Sequence, residues 1–127
     1  MTQRVVGKSR SEVGQEAEQK ASEYLQRYGL KPLASNYRCR YGEIDLIMQS
    51  HDSLVFVEVR FRRHTGYGGA AASVDRRKQQ RLLATAQHYL QRCKTNDLPC
   101  RFDVVAVLPG LDGNLSFDWI KNAFELD

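Results

Sequence analysis

Three carboxylates interrupt two otherwise apolar runs in the segment YGEIDLIMQSHDSLVFVEVRFRR, namely Glu43, Asp45 and Glu58. Both runs have the alternation of β-strands, and the polar SHDS between them is typical of a turn. A hairpin that opposes Gln49 and Leu54 across this turn also places Asp45 opposite Glu58. Like charges that face each other at roughly 5 Å between Cβ atoms are destabilising unless something compensates them. Protonation, a neighbouring cation or a bound metal could do so, since Mg²⁺ is usually held by one or two carboxylates with water and substrate phosphates.

The same register places Glu43 opposite Arg60, which would be an ordinary cross-strand ion pair if the hairpin were a solvated edge of the sheet. Spacing alone leaves this interpretation and the metal site open. The apolar run VFV before Glu58 favours a strand that is covered on both faces. Alternation also predicts one wholly aliphatic face on the first strand of the hairpin, formed by Ile44, Leu46 and Met48.

Two predicted helices bring further polar residues toward the acids. Glu18 lies on the inward stripe of the first helix, whose other members are Gly14, Ala17, Ala21, Leu25 and Tyr28. On the second helix Gln79 continues the inward face, and Lys78 lies at its edge. The other members of that face are Leu82, Leu83, Ala86, Tyr89 and Leu90. An amide that caps the core and a surface lysine are the ordinary alternatives, and only the convergence of these residues favours a functional role.

The elements that must position these residues follow from periodicity and from turn residues. Helices are predicted over residues 12–28, ended by Gly29, and 75–93, capped by Ser73 or Asp75. Strands are predicted over residues 30–40, 43–49, 54–62 and 101–108, and the later segment LSFDWIKNAF is left open between strand and helix. The order α-β-β-β-α-β with a short C-terminal element predicts an α/β fold with a mixed sheet. Residues 1–10 are expected to be a flexible N-terminus, and residues 11–127 a single domain.

Composition narrows the class of protein. The 127 residues carry a formal net charge of +4, a mild basic bias that is compatible with a polyanionic partner without requiring one. Three cysteines without a C-x-x-C spacing argue against a disulfide framework and a zinc ribbon. The polar, basic start does not resemble a signal peptide, and no stretch approaches the roughly 20 apolar residues of a membrane span. We therefore expect a cytoplasmic protein without a membrane partner.

Two basic clusters flank the glycine-rich segment HTGYGGAAAS and are candidates for binding nucleic acid, because phosphate contacts dominate such affinity. The cluster RFRRH contributes Arg62 and Arg63, and Tyr67 follows it as a residue that could stack on a base. The cluster RRKQQR contributes Arg76, Arg77 and Arg81 at the beginning of the second helix, where backbone N–H groups also favour anions. A solvated helix face beside a mobile loop is the ordinary alternative.

Four segments resemble the YraN family of bacterial proteins: GQEAEQKASEYLQRYG, NYRCRYGEIDLI, VFVEVRFRR and VDRRKQ. The resemblance runs from about Gly14 to Phe124 and implies a restriction-endonuclease-like fold of the PD-(D/E)XK nuclease superfamily, near the archaeal Holliday-junction resolvases. It implies that Glu18, Asp45 and Glu58 bind Mg²⁺ or Mn²⁺. The resemblance completes the candidate catalytic set with Glu43, Arg60, Lys78 and Gln79.

The chain departs from the nuclease pattern at Arg60, which stands where the lysine of Glu-x-Lys is expected. A guanidinium stays protonated, so it cannot accept a proton from water, although it can clamp a phosphate. Lys78 is the alternative source of an ammonium group. The resemblance implies a metal-dependent nuclease that acts on DNA, with branched or damaged DNA as candidate substrates, and resolvase-like relatives suggest a homodimer. A non-catalytic nucleic-acid-binding protein and a small protein-binding adaptor remain the alternatives.

Overall fold

The structure, a computed structural model, describes residues 10–62, 74–93, 98–110 and 112–125, with side chains from residue 12 onwards. The described residues form two helices, α1 (Arg10–Arg27) and α2 (Arg76–Cys93). They also form five strands: β1 (Lys31–Cys39), β2 (Gly42–Gln49), β3 (Leu54–Phe61), β4 (Cys100–Pro109) and β5 (Leu115–Phe124). The predicted order is confirmed, and the C-terminal segment that the sequence left open is a strand. Residues 1–9 and the glycine-rich segment 64–73 lie outside the described residues.

The strands form one mixed sheet in the order β1-β2-β3-β4-β5. Neighbouring strands are antiparallel except β3 and β4, which are parallel and are connected through α2. A parallel pair requires such a crossover, because its strands begin at the same edge of the sheet. The predicted α/β class is confirmed, and the architecture is consistent with a restriction-endonuclease-like fold.

Each helix covers one face of the sheet and closes a separate apolar core. Under α1, three members of the predicted stripe are buried against β2, β3 and β4: Ala17, Ala21 and Leu25. Under α2, three members of the predicted inward face are buried on the opposite side of the sheet: Leu82, Ala86 and Tyr89. Neither helix is long and apolar enough to cross a membrane.

The predicted burial of Tyr28 is wrong, because α1 ends one residue earlier. Tyr28 is 63% exposed. Gly29 adopts a φ of 94°, a left-handed conformation that glycine tolerates at low cost, and Leu30 N–H then donates to the Leu25 carbonyl at 3.2 Å. The chain turns back into the sheet there, so Leu30 rather than Tyr28 continues the buried face.

The hairpin register is as predicted, with Gln49 opposite Leu54 and Leu46 opposite Val57 at the two ends of the β2–β3 ladder. The predicted aliphatic face of β2 is wrong at Ile44. Ile44 belongs to the core under α2, whereas Leu46 and Met48 belong to the core under α1. The alternation is interrupted between them, opposite a residue of β1 that has a positive φ, Asn36.

The start of α2 is fixed by a side-chain cap. The carboxylate of Asp75 accepts the backbone N–H of Lys78 at 2.8 Å, which confirms one of the two predicted caps; the other, Ser73, lies outside the described residues. The cap fixes the first turn of α2 and thereby the position from which the side chain of Lys78 extends.

Asp103 of β4 joins the last two strands. Its carboxylate, almost wholly buried at 1% exposure of the residue, accepts Arg101 Nε at 3.0 Å and Trp119 Nε1 at 2.9 Å. It also accepts the backbone N–H of Asn122 at 2.9 Å, beside an irregularity in the β4–β5 ladder. A buried carboxylate with several donors is stabilising only while all of them remain in place.

We expect Asp103→Asn to lower the free energy of unfolding by about 3 kcal/mol, because the amide group turns one acceptor into a donor against the Arg101 guanidinium. Trp119 is the only tryptophan of the chain, so its fluorescence during urea denaturation reports the change directly. Asp118→Asn, at an exposed position of the same sheet, is the matched control and should stay within about 0.5 kcal/mol of the parent protein. Equal stability of the two variants would contradict the proposed role of Asp103.

Candidate active site

Acidic and basic side chains meet beside the end of the β2–β3 ladder. A cavity of about 160 Å³ opens there between the sheet and α2. Its lining consists of Gly42, Glu43, Asp45, Glu58, Lys78, Arg81 and Leu82. Glu18 approaches from α1 and is hydrogen-bonded to the carboxyl group of Asp45. The structure therefore brings together most of the candidate catalytic residues from four different elements.

Asp45 is held by the backbone of the neighbouring strand. Its Oδ2 accepts the N–H of Val59 at 2.8 Å, just beyond the last ladder pair, Leu46 and Val57. A side-chain oxygen thus satisfies an N–H that a regular ladder would have given to a carbonyl. This contact fixes the position of the Asp45 carboxyl group relative to β3, on which Glu58 lies.

Glu58 is a buried carboxylate with two cationic neighbours. It is 5% exposed, and its Oε2 lies 2.9 Å from Lys78 Nζ and 3.3 Å from an Arg60 guanidinium nitrogen. Pairing of this kind is required, because an isolated buried charge is very costly. An ammonium group therefore reaches Glu58 from α2, through Lys78.

Only some of the hydrogen-bond donors of Arg60 have partners in this arrangement. One terminal nitrogen is near Glu58, but Arg60 Nε is buried and has no hydrogen-bond partner. An unpaired buried donor is costly, and an entering anion would relieve that cost.

The predicted pairing of Glu43 with Arg60 is wrong. Glu43 Oε2 accepts Arg38 Nε at 3.1 Å, because Arg38 of β1 is the direct cross-strand neighbour of Glu43. β1 is not part of the β2–β3 hairpin, so the register of the hairpin could not predict the contact between Arg38 and Glu43. Glu43 still lines the cavity.

Burial and the charges of neighbouring carboxylates raise the pKa values of Asp45 and Glu18. The pKa of Asp45 is raised to about 8 by burial first and by the charges of Glu58 and Glu18 next, against the lowering effect of the Val59 N–H. Burial and the charges of Glu43 and Glu58 also raise the pKa of Glu18. Asp45 and Glu18 therefore hold a proton between them at neutral pH.

Asn36 is a site residue that the sequence reasoning missed. Its Nδ2 donates to Glu18 Oε1 at 2.7 Å, so it orients the carboxylate that holds Asp45. Its φ of 50° lies in the left-handed region, which asparagine tolerates better than most residues do. An asparagine inside a predicted strand was the available signal. The pairs on either side of it show that Asn36 falls opposite Asp45.

Of the remaining candidates that the structure describes, Arg81 borders the cavity. Gln79 is not brought to it, because its amide nitrogen donates to the Val74 carbonyl at 2.9 Å and braces the segment before α2. Of the predicted nucleic-acid contacts, Arg81 lines the cavity and Arg76 and Arg77 are exposed at the beginning of α2. The others are Arg62, whose backbone N–H donates to the Val107 carbonyl at 2.8 Å, and Arg63 and Tyr67, which lie outside the described residues.

The residues fit a hard divalent cation held by few protein ligands. Among the described residues, no three acidic, histidine or cysteine side chains form a preassembled set of metal ligands. Mg²⁺ does not need such a set, since one or two carboxylates suffice when water and phosphate complete its shell. Burial and the neighbouring carboxylates, which raise the pKa of Asp45, disfavour its charged form, and a cation bound beside it would favour that form.

We predict that the free energy of unfolding of the metal-free protein falls as the pH rises toward the pKa of Asp45. The folded state keeps the Asp45 proton up to about pH 8, whereas the unfolded chain releases it near the ordinary value of 3.8. The folded state thus binds more protons between these values, and the free energy of unfolding falls with increasing pH. The expected loss is about 2–4 kcal/mol between about pH 5 and pH 8, measured by urea denaturation in EDTA.

Asp45→Asn should remove most of this slope and be more stable than the parent protein at about pH 8, because the amide is never charged. Asp118→Asn, at an exposed position of β5 that does not line the acidic cavity, should keep the parental slope. Parallel stability curves for the parent and Asp45→Asn would show that Asp45 does not titrate as described.

Comparison with known proteins identifies the family. A family model described as "Uncharacterised protein family UPF0102" matches residues 17–107. A UPF0102 protein of Saccharophagus degradans is 52% identical over 118 residues, which cover 92% of this chain and 96% of the relative. Corresponding proteins of Nitrosomonas eutropha and Pseudomonas putida are 52% and 50% identical and cover 88% and 92% of this chain, and 92% and 95% of their own lengths. The matched region includes α2 and the four strands β1 to β4, which carry nearly all of the acidic cavity. The chain therefore belongs to the UPF0102 family, the YraN family that its sequence resembles.

Proposed function

We propose that this protein is a metal-dependent nuclease that hydrolyses phosphodiester bonds in DNA, with branched or damaged DNA as candidate substrates. The proposal rests on one observation above all. Two carboxylates from neighbouring strands, Asp45 and Glu58, line a single cavity in which Lys78 Nζ lies 2.9 Å from Glu58. Such a combination of acids and an ammonium group is what metal-assisted phosphodiester hydrolysis requires.

Asp45 and Glu58 would hold Mg²⁺ or Mn²⁺ in this site, with Glu18 close behind Asp45. The bound ion would polarise a phosphoryl oxygen and lower the pKa of a water molecule. The Val59 N–H and Glu18 keep the Asp45 carboxyl group in one orientation. A positioned ligand loses less entropy when it binds, which favours the reactive geometry.

The cations around the cavity would bind the phosphate and its developing charge. Lys78 is close enough to the acids to stabilise charge on the departing oxygen without a change of helix position. The unpaired Nε of Arg60 offers a donor to a phosphate oxygen, and Arg81 borders the same cavity. Arginine in place of the expected lysine thus suits phosphate binding, while the ammonium group comes from Lys78.

A non-catalytic nucleic-acid-binding protein is the second candidate, and one observation favours it. Lys78 and Arg60 already neutralise Glu58, so a cation is not needed to stabilise this buried carboxylate. In that case the acids would serve folding only, and the basic residues at the start of α2 would bind phosphate without hydrolysis.

We expect Asp45→Asn and Glu58→Gln each to reduce cleavage by at least about 100-fold, equivalent to about 2.7 kcal/mol of transition-state stabilisation. Initial rates would be measured with Mg²⁺ or Mn²⁺ on labelled duplex, single-stranded, flap and four-way-junction DNA. Lys78→Gln should lower the rate more than it weakens binding, because the ammonium group acts on charge that develops in the transition state.

Asp118→Asn serves as the control in this assay and should cleave at the parental rate. Cleavage that persists in Asp45→Asn would point to a contaminating nuclease and contradict the site. Binding that depends on salt without any cleavage would favour the second candidate, and absence of both would leave the protein-binding adaptor.

Metal binding can be tested separately from cleavage. We predict that millimolar Mn²⁺ raises the unfolding temperature of the parent protein, because ligation to the native state at about 100 times the dissociation constant contributes about 2.7 kcal/mol. Trp119 fluorescence during heating, with and without EDTA, measures the shift. Asp118→Asn should respond like the parent, whereas Asp45→Asn and Glu58→Gln should respond little. An equal shift in all four proteins would place Mn²⁺ elsewhere.

A further inference from the structure

A second cavity lies next to the acidic one, between the β1–β2 turn and the outer side of α2. It has a volume of about 330 Å³, at the lower end of the range for small-ligand pockets, which is about 300–1,000 Å³. Its lining consists of Arg40, Tyr41, Ala84, Gln87, His88 and Gln91. None of these residues takes part in the acidic site.

Tyr41 presents an exposed aromatic ring with a cation beside it. The residue is 40% exposed, and the Arg40 guanidinium carbon lies 4.9 Å from the ring centroid. Arg40 also donates to the Tyr41 hydroxyl group at 2.7 Å. An aromatic ring flanked by arginine is the combination on which unpaired bases stack, since stacking and cation–π attraction act on every base.

The ring is supported from the core side and does not depend on a partner for its position. The His88 ring lies edge-on to Tyr41 at 6.4 Å between centroids, and His88 Nδ1 is hydrogen-bonded to the Tyr37 hydroxyl group at 2.6 Å. Tyr37 in turn packs edge-on against buried Tyr89 at 5.2 Å. Contact by contact, Tyr41 is therefore anchored to the core under α2.

Gly42 brings the turn close to the helix. It has a φ of 153°, and a Cβ atom at this position would lie 3.3 Å from the hydroxyl oxygen of buried Thr85. A larger residue would push the turn outward and move Tyr41 away from His88. The absence of a side chain thus allows the close approach of the turn to α2, beside the acidic cavity that Gly42 lines.

The two cavities follow one another along α2. Arg81 borders the acidic cavity, and Ala84 and His88, one and two turns later, border the second. Seven residues of helix span about 10 Å, which corresponds to about three nucleotides at about 3.4 Å each in a stacked strand. A strand whose phosphate lies at the acids can therefore place a base beside Tyr41.

We propose that the cavity of Arg40, Tyr41 and His88 binds a nucleobase of an unpaired strand, about three nucleotides from the phosphate in the acidic cavity. Gln87 and Gln91 supply donors and acceptors for the edge of the base. Base faces in a duplex are covered by their neighbours, so the cavity selects nucleic acid with a single-stranded segment. The inference rests on the proposed function for the position of the phosphate, and it does not require cleavage.

The test measures binding alone, in EDTA, by the fluorescence anisotropy of a labelled single-stranded DNA. Tyr41→Ala should raise Kd about 5- to 100-fold, the range for the loss of one base-stacking contact, whereas Tyr41→Phe should retain most of the affinity. Arg40→Ala should weaken binding and reduce the slope of log Kd against log salt by about one. An RNA of the same sequence shows which strand chemistry is preferred, and loss of its binding in Tyr41→Ala would support the cavity equally.

Tyr28→Ala is the matched control, because Tyr28 is 63% exposed directly after α1, on the opposite side of the sheet. It should bind single strands like the parent protein. Duplex binding should be the same in Tyr41→Ala and the parent. Parental affinity of Tyr41→Ala for single strands, or an equal loss for duplex, would overturn the inference.

The outcome is independent of hydrolysis. If the protein does not cleave DNA but Tyr41→Ala weakens its binding to single strands, the base site is supported and the nuclease proposal is contradicted. If Tyr41→Ala cleaves DNA with parental kinetics and binds single strands with parental affinity, the nuclease proposal is supported and the base site is contradicted. Thermal unfolding of each variant, monitored by Trp119 fluorescence, verifies that the exposed substitutions leave the fold intact.

Discussion

Negative charge buried at the end of the β2–β3 ladder is the constraint on which this structure depends. Asp45, Glu18 and Glu58 cannot all be ionised at neutral pH without compensation. A proton, the Lys78 ammonium group and the Arg60 guanidinium group provide it. Such a cluster weakens the folded state, and the two apolar cores must offset its cost.

The fold concentrates its rigidity around that cluster. The Asp75 cap fixes the first turn of α2, and with it Lys78. The Val59 N–H and Asn36, which acts through Glu18, fix the acids from the two strands that flank β2. Away from the site, the contacts of Asp103 hold β5 to β4. Asp75, Asp45 and Asp103 each accept a backbone N–H at a point where the helix begins or the ladder is interrupted.

The parts predicted correctly from sequence depend on strong, regular patterns. Period-2 alternation predicted the hairpin register correctly, because a shift by one residue would have set apolar side chains opposite the acids. The incorrect parts depend on single backbone dihedral angles or on a third element. Ile44 changes face near the positive φ of Asn36, and Glu43 finds Arg38 on a strand that the hairpin argument did not contain. Gln79 satisfies the Val74 carbonyl, since the segment before α2 also needs donors.

The amino-acid sequence by itself determined the order of the elements, the identity of the acids and the register that sets Asp45 near Glu58. Tertiary structure alone decided which charges compensate them. Lys78 rather than Arg60 makes the closer contact with Glu58, and the Arg40–Tyr41 turn lies against His88, 47 residues away in sequence. Local patterns are read along one strand or helix, whereas ion pairs and cavities depend on distances between elements that only the packing of both cores on the sheet establishes.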